Sequence, residues 1–230
     1  MKVSITNVHL DLGAGRRGTD MGPSAMHVAG LVPGLERLGH EIVQVESFGV
    51  EAAEGTASGN PRARYLDVIA SVCARIADKV EADCAAGHFP LVLGGDHAQA
   101  AGTIAGLARF HRRQGAQIGV VWVDAHTDMN TPTSSPSGNV HGMPLAALLG
   151  YGPPELTGLA GEGPALDPRH VVILGARDVD STEAPLVRET GVRVYTMSEL
   201  DRRGTAVCVA EAFEHAGRNT AGVHLSFDLD

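Results

Sequence analysis

The stretch VVWVDAHTD, Val120 to Asp128, joins an apolar run to three titratable side chains. Its first four residues are all apolar, a pattern typical of a strand that is covered on both faces of a parallel sheet. The residues that follow place Asp124, His126 and Asp128 at every second position. In an extended chain these positions share one side, so the three side chains could converge. The stretch therefore predicts a parallel α/β sheet with a polar site where one strand ends.

The same alternation of short apolar runs and longer helical patterns extends along the chain. We predict strands at Lys2–Val8, Glu41–Glu46, Phe89–Gly94, Ile118–Asp124, His170–Gly175, Val192–Met197 and Val223–Asp228. Helices are predicted at Pro23–Leu38, Arg62–Ala86, Ala98–Gln114 and Glu199–Ala216. Repeated βα alternation implies a mostly parallel sheet with right-handed crossovers. We find no internal repeat, which favours a single domain over residues 1–230.

The amino-acid composition limits the kinds of partner and the cellular compartment that we expect for this protein. The 230 residues are 43% hydrophobic, enough for a substantial core, and carry 27 acidic against 18 basic residues. The resulting net charge of -9 argues against a nucleic-acid partner, because phosphate binding needs a basic surface. The three cysteines show no CxxC pair, which fits a reduced compartment. With no long apolar run, we expect a soluble cytoplasmic protein without a membrane partner.

Two further strand ends carry similar residues. In LVLGGDHAQA, the glycines Gly94 and Gly95 lead to Asp96 and His97. Taken alone, this motif has two equally good interpretations. Asp96 could be the N-cap of a helix, with His97 beside it by chance, or the two residues could belong to a functional site. In GVHLSFDLD, Asp228 and Asp230 repeat the alternating spacing, and an exposed strand end is the simpler interpretation of that motif alone.

Taken together, the three strand ends predict a metal centre. They supply four carboxylates and two imidazoles without a thiolate, a ligand set that suits a hard-to-borderline ion such as Mn²⁺. Four carboxylates balance two divalent ions better than one. Two ions could share a hydroxide, which is a strong nucleophile near neutral pH. The predicted ligands are His97, Asp124, His126, Asp128, Asp228 and Asp230.

The motifs GGDH, DAHTD and SFDLD resemble, in order and spacing, the binuclear manganese signature of the ureohydrolase superfamily, and of arginases most closely. The stretches LDLGAGRRGTDMGPSAM and GARDVDSTE are also similar to arginase segments. The resemblance implies a three-layer αβα fold with a mostly parallel central sheet, as in arginases and deacetylases. It also implies two Mn²⁺ ions per chain and hydrolysis of L-arginine to L-ornithine and urea.

Ligand roles follow from the resemblance. One ion would be held by His97, Asp124, Asp128 and Asp228, and the other by Asp124, His126, Asp228 and Asp230. A hydroxide between the ions would attack the guanidinium carbon. The predicted catalytic residues are Asp128 and His141, with His141 as the proton-transfer group. The alternative for His141 is an ordinary solvated loop histidine.

Substrate contacts are implied in the same way. The loop residues Asn130, Ser135, Ser137 and Asn139 match positions that hold the α-carboxylate, with Asp180 and Glu183 near the α-ammonium. Agmatine has no α-carboxylate, and agmatinases lack the NTPTSSPSGN pattern, so the loop favours L-arginine. An agmatinase or another guanidino-compound hydrolase is the alternative. The resemblance also implies a homo-oligomer, either a trimer or a hexamer.

One departure from the family pattern concerns the C-terminus. Family members continue past the position of Asp230, so we expect this chain to be C-terminally incomplete relative to the family. The further segment would add a strand, closing helices and a glutamate that grips the substrate guanidinium. Three interpretations stay open: a fragment of a longer arginase, a weakened enzyme, or a truncated paralogue that binds without catalysis.

Overall fold

A computed structural model describes residues 1–229 and contains seven strands within that range. They are β1 (Lys2–His9), β2 (Glu41–Gly49), β3 (Phe89–Leu93), β4 (Gly119–Val123), β5 (Val171–Ala176), β6 (Arg193–Thr196) and β7 (Val223–Phe227). All seven predicted strands are present, with ends shifted by at most a few residues. Every pairing among the described strands is parallel, which confirms the α/β class.

The strands form a three-stranded sheet of order β2-β1-β3 and a four-stranded sheet of order β6-β5-β4-β7. In the larger sheet, Val121 of β4 lies opposite Val172 of β5 on one side and Leu225 of β7 on the other. Because both pairings are parallel, the carboxyl ends of β4 and β7 lie side by side. This is the edge at which Asp124 and Asp228 leave the sheet.

The helices are α1 (Gly22–Val28), α2 (Leu31–Arg37), α3 (Leu66–Ala85), α4 (Ala100–Arg112), α5 (Pro144–Leu148), α6 (Pro154–Thr157), α7 (Ala184–Thr190), α8 (Met197–Arg203) and α9 (Thr205–Gly217). Two of the predicted helices are wrong as single elements. Pro23–Leu38 is divided at Gly30 and Glu199–Ala216 at Gly204, where φ is +88° and +91°. Glycine adopts these angles without strain, and a right-handed helix cannot continue through them.

Alternate residues of β4 face different helices, which produces the three layers. Val120 and Trp122 pack in a cluster with residues of α4 and α5, whereas Val121 packs in a cluster with residues of α8 and α9. In β5, Ile173 and Leu174 divide between the same two clusters. The four-stranded sheet is therefore covered by helices on both faces, as its continuous apolar runs predict.

Helix α4, which follows His97, packs closely against α3. A Cβ atom added to Gly102 would lie 2.4 Å from the carbonyl oxygen of Cys73, and one added to Gly106 would lie 2.5 Å from that of Ala77. The two glycines thus allow direct contact between the helix backbones.

Helix α3 is the longest helix described, with 20 residues. Its residues Ile69, Cys73, Ile76 and Val80 are fully buried and recur at helical spacing. Among the described residues, no helix combines the length and the apolar character that a membrane crossing requires.

Candidate metal centre

Three strand ends bring one imidazole and three carboxylates together. His97 follows β3 in a short 3-10 turn, Asp124 and Asp128 follow β4, and Asp228 follows β7. The Nδ1 atom of His97 lies 3.0 Å from Asp124 Oδ2, 3.0 Å from Asp128 Oδ2 and 3.2 Å from Asp228 Oδ2. Potential ligand atoms of His97, Asp124 and Asp228 all lie within 4.8 Å of one another. The structure thus places four of the predicted ligands around one point.

The hydrogen bonding of this cluster is incomplete. The His97 ring is directed at Asp124. Asp128 Oδ2, although equally near, is buried without a hydrogen-bond partner. A buried carboxylate oxygen without a partner is costly unless a cation offsets its charge. Oxygen and imidazole ligands around such a point fit a divalent ion of the Mn²⁺ type.

The acid–base balance also favours positive charge at the centre. Burial raises the pKa of Asp128 from its ordinary value to about 7. Burial alone would lower the pKa of His97, but the carboxylates of Asp124, Asp128 and Asp228 outweigh that effect and raise it well above its usual range. Burial would raise the pKa of Asp124, yet hydrogen bonds from His97 and the His126 backbone lower it. A divalent ion would supply this charge more fully than a proton does.

Neighbouring groups hold the predicted ligands in place. His97 Nε2 lies 2.8 Å from Ser226 Oγ, and the His97 ring stacks on Trp122 with centroids 4.1 Å apart. The indole N–H of Trp122 donates to Asp124 Oδ2 at 3.1 Å. Asp128 has φ +50°, and its carbonyl accepts two backbone N–H groups at 3.2 Å each. The side-chain contacts orient His97 and Asp124, and the backbone hydrogen bonds fix the position of Asp128 in the chain.

Sequence patterns did not identify the roles of Ser226 and Trp122. Ser226 lies in β7 two residues before Asp228, which directly follows the strand, so the alternation of side chains was a usable signal. The sequence predicts that Trp122 is a buried core residue. It does not predict which group accepts the hydrogen bond of the indole N–H, because that depends on the tertiary structure.

His126 lies at the rim of the cluster. Its side chain is 40% exposed, and its Nδ1 is 3.3 Å from Asp124 Oδ1. Its Nε2 is 3.9 Å from Asp178 Oδ2. The structure thus places His126 beside the cluster but outside the group His97, Asp124 and Asp228, whose ligand atoms lie within 4.8 Å of one another. The remaining predicted ligand, Asp230, lies outside the described residues.

Two loops flank the centre and contact each other. Asn130 donates through Nδ2 to Asp180 Oδ2 at 3.0 Å. The buried carboxylate of Glu183 accepts the backbone N–H of Met129 at 3.0 Å and that of Asp180 at 3.1 Å. Burial raises the pKa of Glu183. In the structure, Glu183 therefore ties the two loops together, and its contact with a substrate stays a prediction.

The other predicted substrate residues shape their own loop. Ser135 Oγ accepts from Gly138 N at 3.0 Å, and Ser137 Oγ accepts from Asn139 N at 3.2 Å. Asn139 donates to the carbonyl of Ala14 at 3.2 Å. Two residues after Asn139, His141 lies half-buried in the 3-10 turn Val140–Gly142.

Comparison with known proteins agrees with this geometry. The model of the Arginase family matches residues 1–230. The chain belongs to the arginase family. It is 46% identical over 229 residues to the arginase of Bacillus caldovelox, a match that covers 99% of this chain and 75% of that relative.

Solved structures of other arginase-family members share the fold. The Bacillus caldovelox arginase superimposes with a TM-score of 0.88 at 44% identity, covering 97% of this chain and 74% of that one. The Entamoeba histolytica arginase, solved in complex with L-ornithine, gives 0.87 at 32% identity, covering 99% of this chain and 76% of that one. These likenesses confirm the three-layer arginase fold and identify the chain as an arginase-type ureohydrolase.

Proposed function

We propose that the chain is a manganese-dependent arginase that hydrolyses the guanidinium group of L-arginine to give L-ornithine and urea. The observation that carries the proposal is the convergence of three carboxylates on His97 Nδ1, with Asp128 Oδ2 buried and without a hydrogen bond. Membership of the arginase family supports the same conclusion.

Two ions are proposed, with the ligand sets that the resemblance implies. His97, Asp124, Asp128 and Asp228 would hold one ion, and Asp124, His126, Asp228 and Asp230 the other. Once bound, the ions would supply the charge that lowers the pKa of a water molecule toward neutrality and stabilises the developing transition state. Trp122 and Ser226 keep Asp124 and His97 in the required orientation.

The flanking loops would select the substrate. Hydroxyl and amide groups of Asn130, Ser135, Ser137 and Asn139 would hold the α-carboxylate, and the exposed carboxylate of Asp180 would attract the α-ammonium. Asn130 already orients Asp180 through their 3.0 Å hydrogen bond. The L-ornithine complex of the Entamoeba histolytica arginase supports an α-amino acid as the ligand class.

His141 would move a proton during the reaction. The imidazole of histidine titrates near neutrality and can give and accept a proton under working conditions. The structure places His141 in the turn Val140–Gly142, with its backbone N–H donating to the carbonyl of Gly13.

Urea release tests the proposal directly. The chain, loaded with Mn²⁺, is given L-arginine or agmatine, with a chelator-treated sample as the control. We expect urea from L-arginine only, and only with metal. Urea from agmatine alone would favour the agmatinase alternative. Failure to take up metal would favour a non-catalytic member of the family.

Assembly and location are proposed on the family resemblance alone. We propose a cytoplasmic homo-oligomer, a trimer or hexamer of the single domain 1–230. Light scattering coupled to size-exclusion chromatography measures the mass directly, and a monomer at assay concentration would contradict the proposed assembly.

A further inference from the structure

Asp96 makes contacts that a helix cap alone does not need. Its Oδ1 accepts the N–H of Ala98 at 3.0 Å, capping the turn that carries His97. Its Oδ2 accepts the N–H of Gly13 at 2.8 Å, from a segment 83 residues earlier, and the N–H of Ala14 also donates to this carboxylate. The side chain is buried. Asp96 therefore joins the GGDH motif to the turn at residues 12–15.

The turn at residues 12–15 also accepts hydrogen bonds from two of the predicted site residues, Asn139 and His141. The carbonyl of Gly13 accepts the backbone N–H of His141 at 3.3 Å. The carbonyl of Ala14 accepts the side-chain Nδ2 of Asn139 at 3.2 Å. The carbonyls of this turn thus accept hydrogen bonds from both residues, and its backbone N–H groups donate to Asp96.

The turn has little room to move between these partners. A Cβ added to Gly13 would lie 2.7 Å from Asp96 Oδ1, and one added to Gly15 would lie 2.9 Å from Asn139 Nδ2. Gly15 also has φ +65°, which a side chain would strain. Displacement of the turn at Asp96 should therefore displace Asn139 and His141 as well.

We propose that Asp96 is a positioning residue that acts through the Gly13–Ala14 turn to place Asn139 and His141 for the reaction. The inference deepens the proposed function and rests on it, because it assumes that these two residues serve L-arginine hydrolysis. Asp96 itself touches neither the substrate loop nor the carboxylates around His97.

The metal cluster has separate supports, so its occupancy should not depend on the turn. His97 is held by Ser226 at 2.8 Å and by stacking on Trp122. Asn is a good helix cap, and Asp96→Asn can keep the contact with Ala98 N. Its NH₂ group would face the donors of the turn, which leaves them unsatisfied.

Hydrogen exchange of the metal-free chain measures the structural link. In Asp96→Asn, we expect exchange to become at least about ten-fold faster in residues 12–15 and 139–142, while α4 keeps its protection. Unchanged protection at 139–142 would overturn the proposal. This readout needs neither metal nor substrate, so it decides the positioning role even if the chain releases no urea from L-arginine.

Kinetics of the Mn²⁺-loaded chain measures the consequence. We expect Asp96→Asn to keep its metal content and lose roughly ten- to hundred-fold in kcat, because small displacements of catalytic groups have effects of that size. In a His141→Asn background, the same change should cost kcat less than about three-fold, since the group it positions is gone. The proposal would be overturned if the kcat losses of Asp96→Asn and His141→Asn multiplied in the double variant. It would also be overturned if Asp96→Asn lost metal in proportion to its loss of kcat.

Two more variants complete the test. Gly13→Ala places a methyl group against Asp96 Oδ1 and so disturbs the same contact from the turn itself. It should give the same exchange pattern, which tests the proposal even if Asp96→Asn does not fold. Asp167 caps the 3-10 turn Pro168–His170 through the N–H of Arg169 at 3.0 Å, and this turn lies at the amino end of β5, at the opposite edge of the sheet from the site. Asp167→Asn is therefore the matched control, and we expect it to leave exchange at 139–142 and kcat unchanged. An equal effect in this control would overturn the proposal.

Discussion

Asp128 combines a left-handed backbone, a buried side chain and a carboxylate oxygen without a hydrogen bond. Aspartate tolerates a positive φ better than most residues, because its short side chain can be satisfied locally. Here the backbone carbonyl is satisfied by two N–H groups, but Oδ2 is not. Burial therefore disfavours the charged form of this carboxyl, and a bound cation would stabilise it.

We predict that Asp128→Asn weakens Mn²⁺ binding by at least about ten-fold, because an amide supplies no negative charge to the ion. Isothermal titration calorimetry on the metal-free chain measures the affinity. The control is Asp201→Asn, which changes an exposed carboxylate on α8. Equal affinity in wild type and Asp128→Asn would contradict the proposed ligand set.

His141→Asn should separate metal binding from catalysis. We expect unchanged metal content and a loss of kcat of roughly 10²- to 10⁴-fold, which is the usual contribution of a general acid–base group. Metal analysis and urea release are measured on one preparation. His215→Asn, on α9, is the control histidine. Release of metal by His141→Asn would show that the roles are divided wrongly.

For individual residues, local spacing in the sequence could predict which side chains come together. It could not predict which neighbouring side chains hold them in orientation. The alternation of Asp124, His126 and Asp128 is visible in nine residues of sequence, and the structure brings Asp124 and Asp128 to His97. The contact of His97 with Ser226 joins residues 129 positions apart. Side-chain alternation indicates only that Ser226 shares a side with Asp228, and its contact with His97 depends on how the two sheets are placed.

Among the elements, strands were easier to predict than helices. Strand β4 is recognisable from its continuous apolar run, because burial on both faces leaves no polar position. The helical pattern in Pro23–Leu38 continues through the break at Gly30. Helix α2 packs on Val3 and Ile5 of β1, and His27 of α1 contacts Asn7 on the same face of that strand. The spacing of apolar residues predicts which positions are buried, but it does not predict that a glycine adopts a positive φ and ends a helix.

The contact between α3 and α4 gives a prediction at the scale of elements. Gly106→Ala places a methyl group against the carbonyl of Ala77, and we expect it to destabilise the chain by about 1–3 kcal/mol. Gly34→Ala is the matched control, because Gly34 lies within α2 and an added Cβ meets only the end of Arg37, at 3.8 Å.

Gly34→Ala should stabilise the chain by up to about 1 kcal/mol through helix propensity. Urea denaturation of both variants measures the difference. If Gly106→Ala were as stable as Gly34→Ala, the close approach of α3 and α4 would not hold in solution.

For the molecule as a whole, the cysteines report on global unfolding. Cys73 and Cys208 are fully buried. Burial raises the pKa of the Cys73 thiol to about 12 and that of Cys84 to about 11. Because the thiolate is the reactive form, we expect slow labelling by a disulfide reagent at about pH 8 in the native chain and rapid labelling in denaturant. Rapid labelling of Cys73 in the native chain would contradict the core packing.

The same thiol gives a pH dependence of stability. An unfolded cysteine loses its proton above about pH 9, whereas Cys73 in the folded chain keeps it to about pH 12. Between these values the unfolded state binds fewer protons, so stability falls as pH rises.

At about pH 10.5, this effect alone should remove about 2 kcal/mol, and Cys73→Ala should lack it. Denaturation of both chains at neutral and alkaline pH measures the difference. A constant gap between wild type and Cys73→Ala across that range would contradict the expectation.

The junction of the two sheets at His97 also sets a time order. His97 belongs to the segment after β3, yet it is anchored by Ser226 of β7, 129 residues later. During synthesis at about 5–20 residues per second, roughly 6 to 26 s pass between these two positions. Asp124 follows His97 by only 27 residues, so for most of that interval the carboxylates of Asp124 and Asp128 are present while the contact of His97 with Ser226 is not. The helices on both faces of the four-stranded sheet, α4 and α5 on one and α8 and α9 on the other, are therefore synthesised before Ser226 can contact His97.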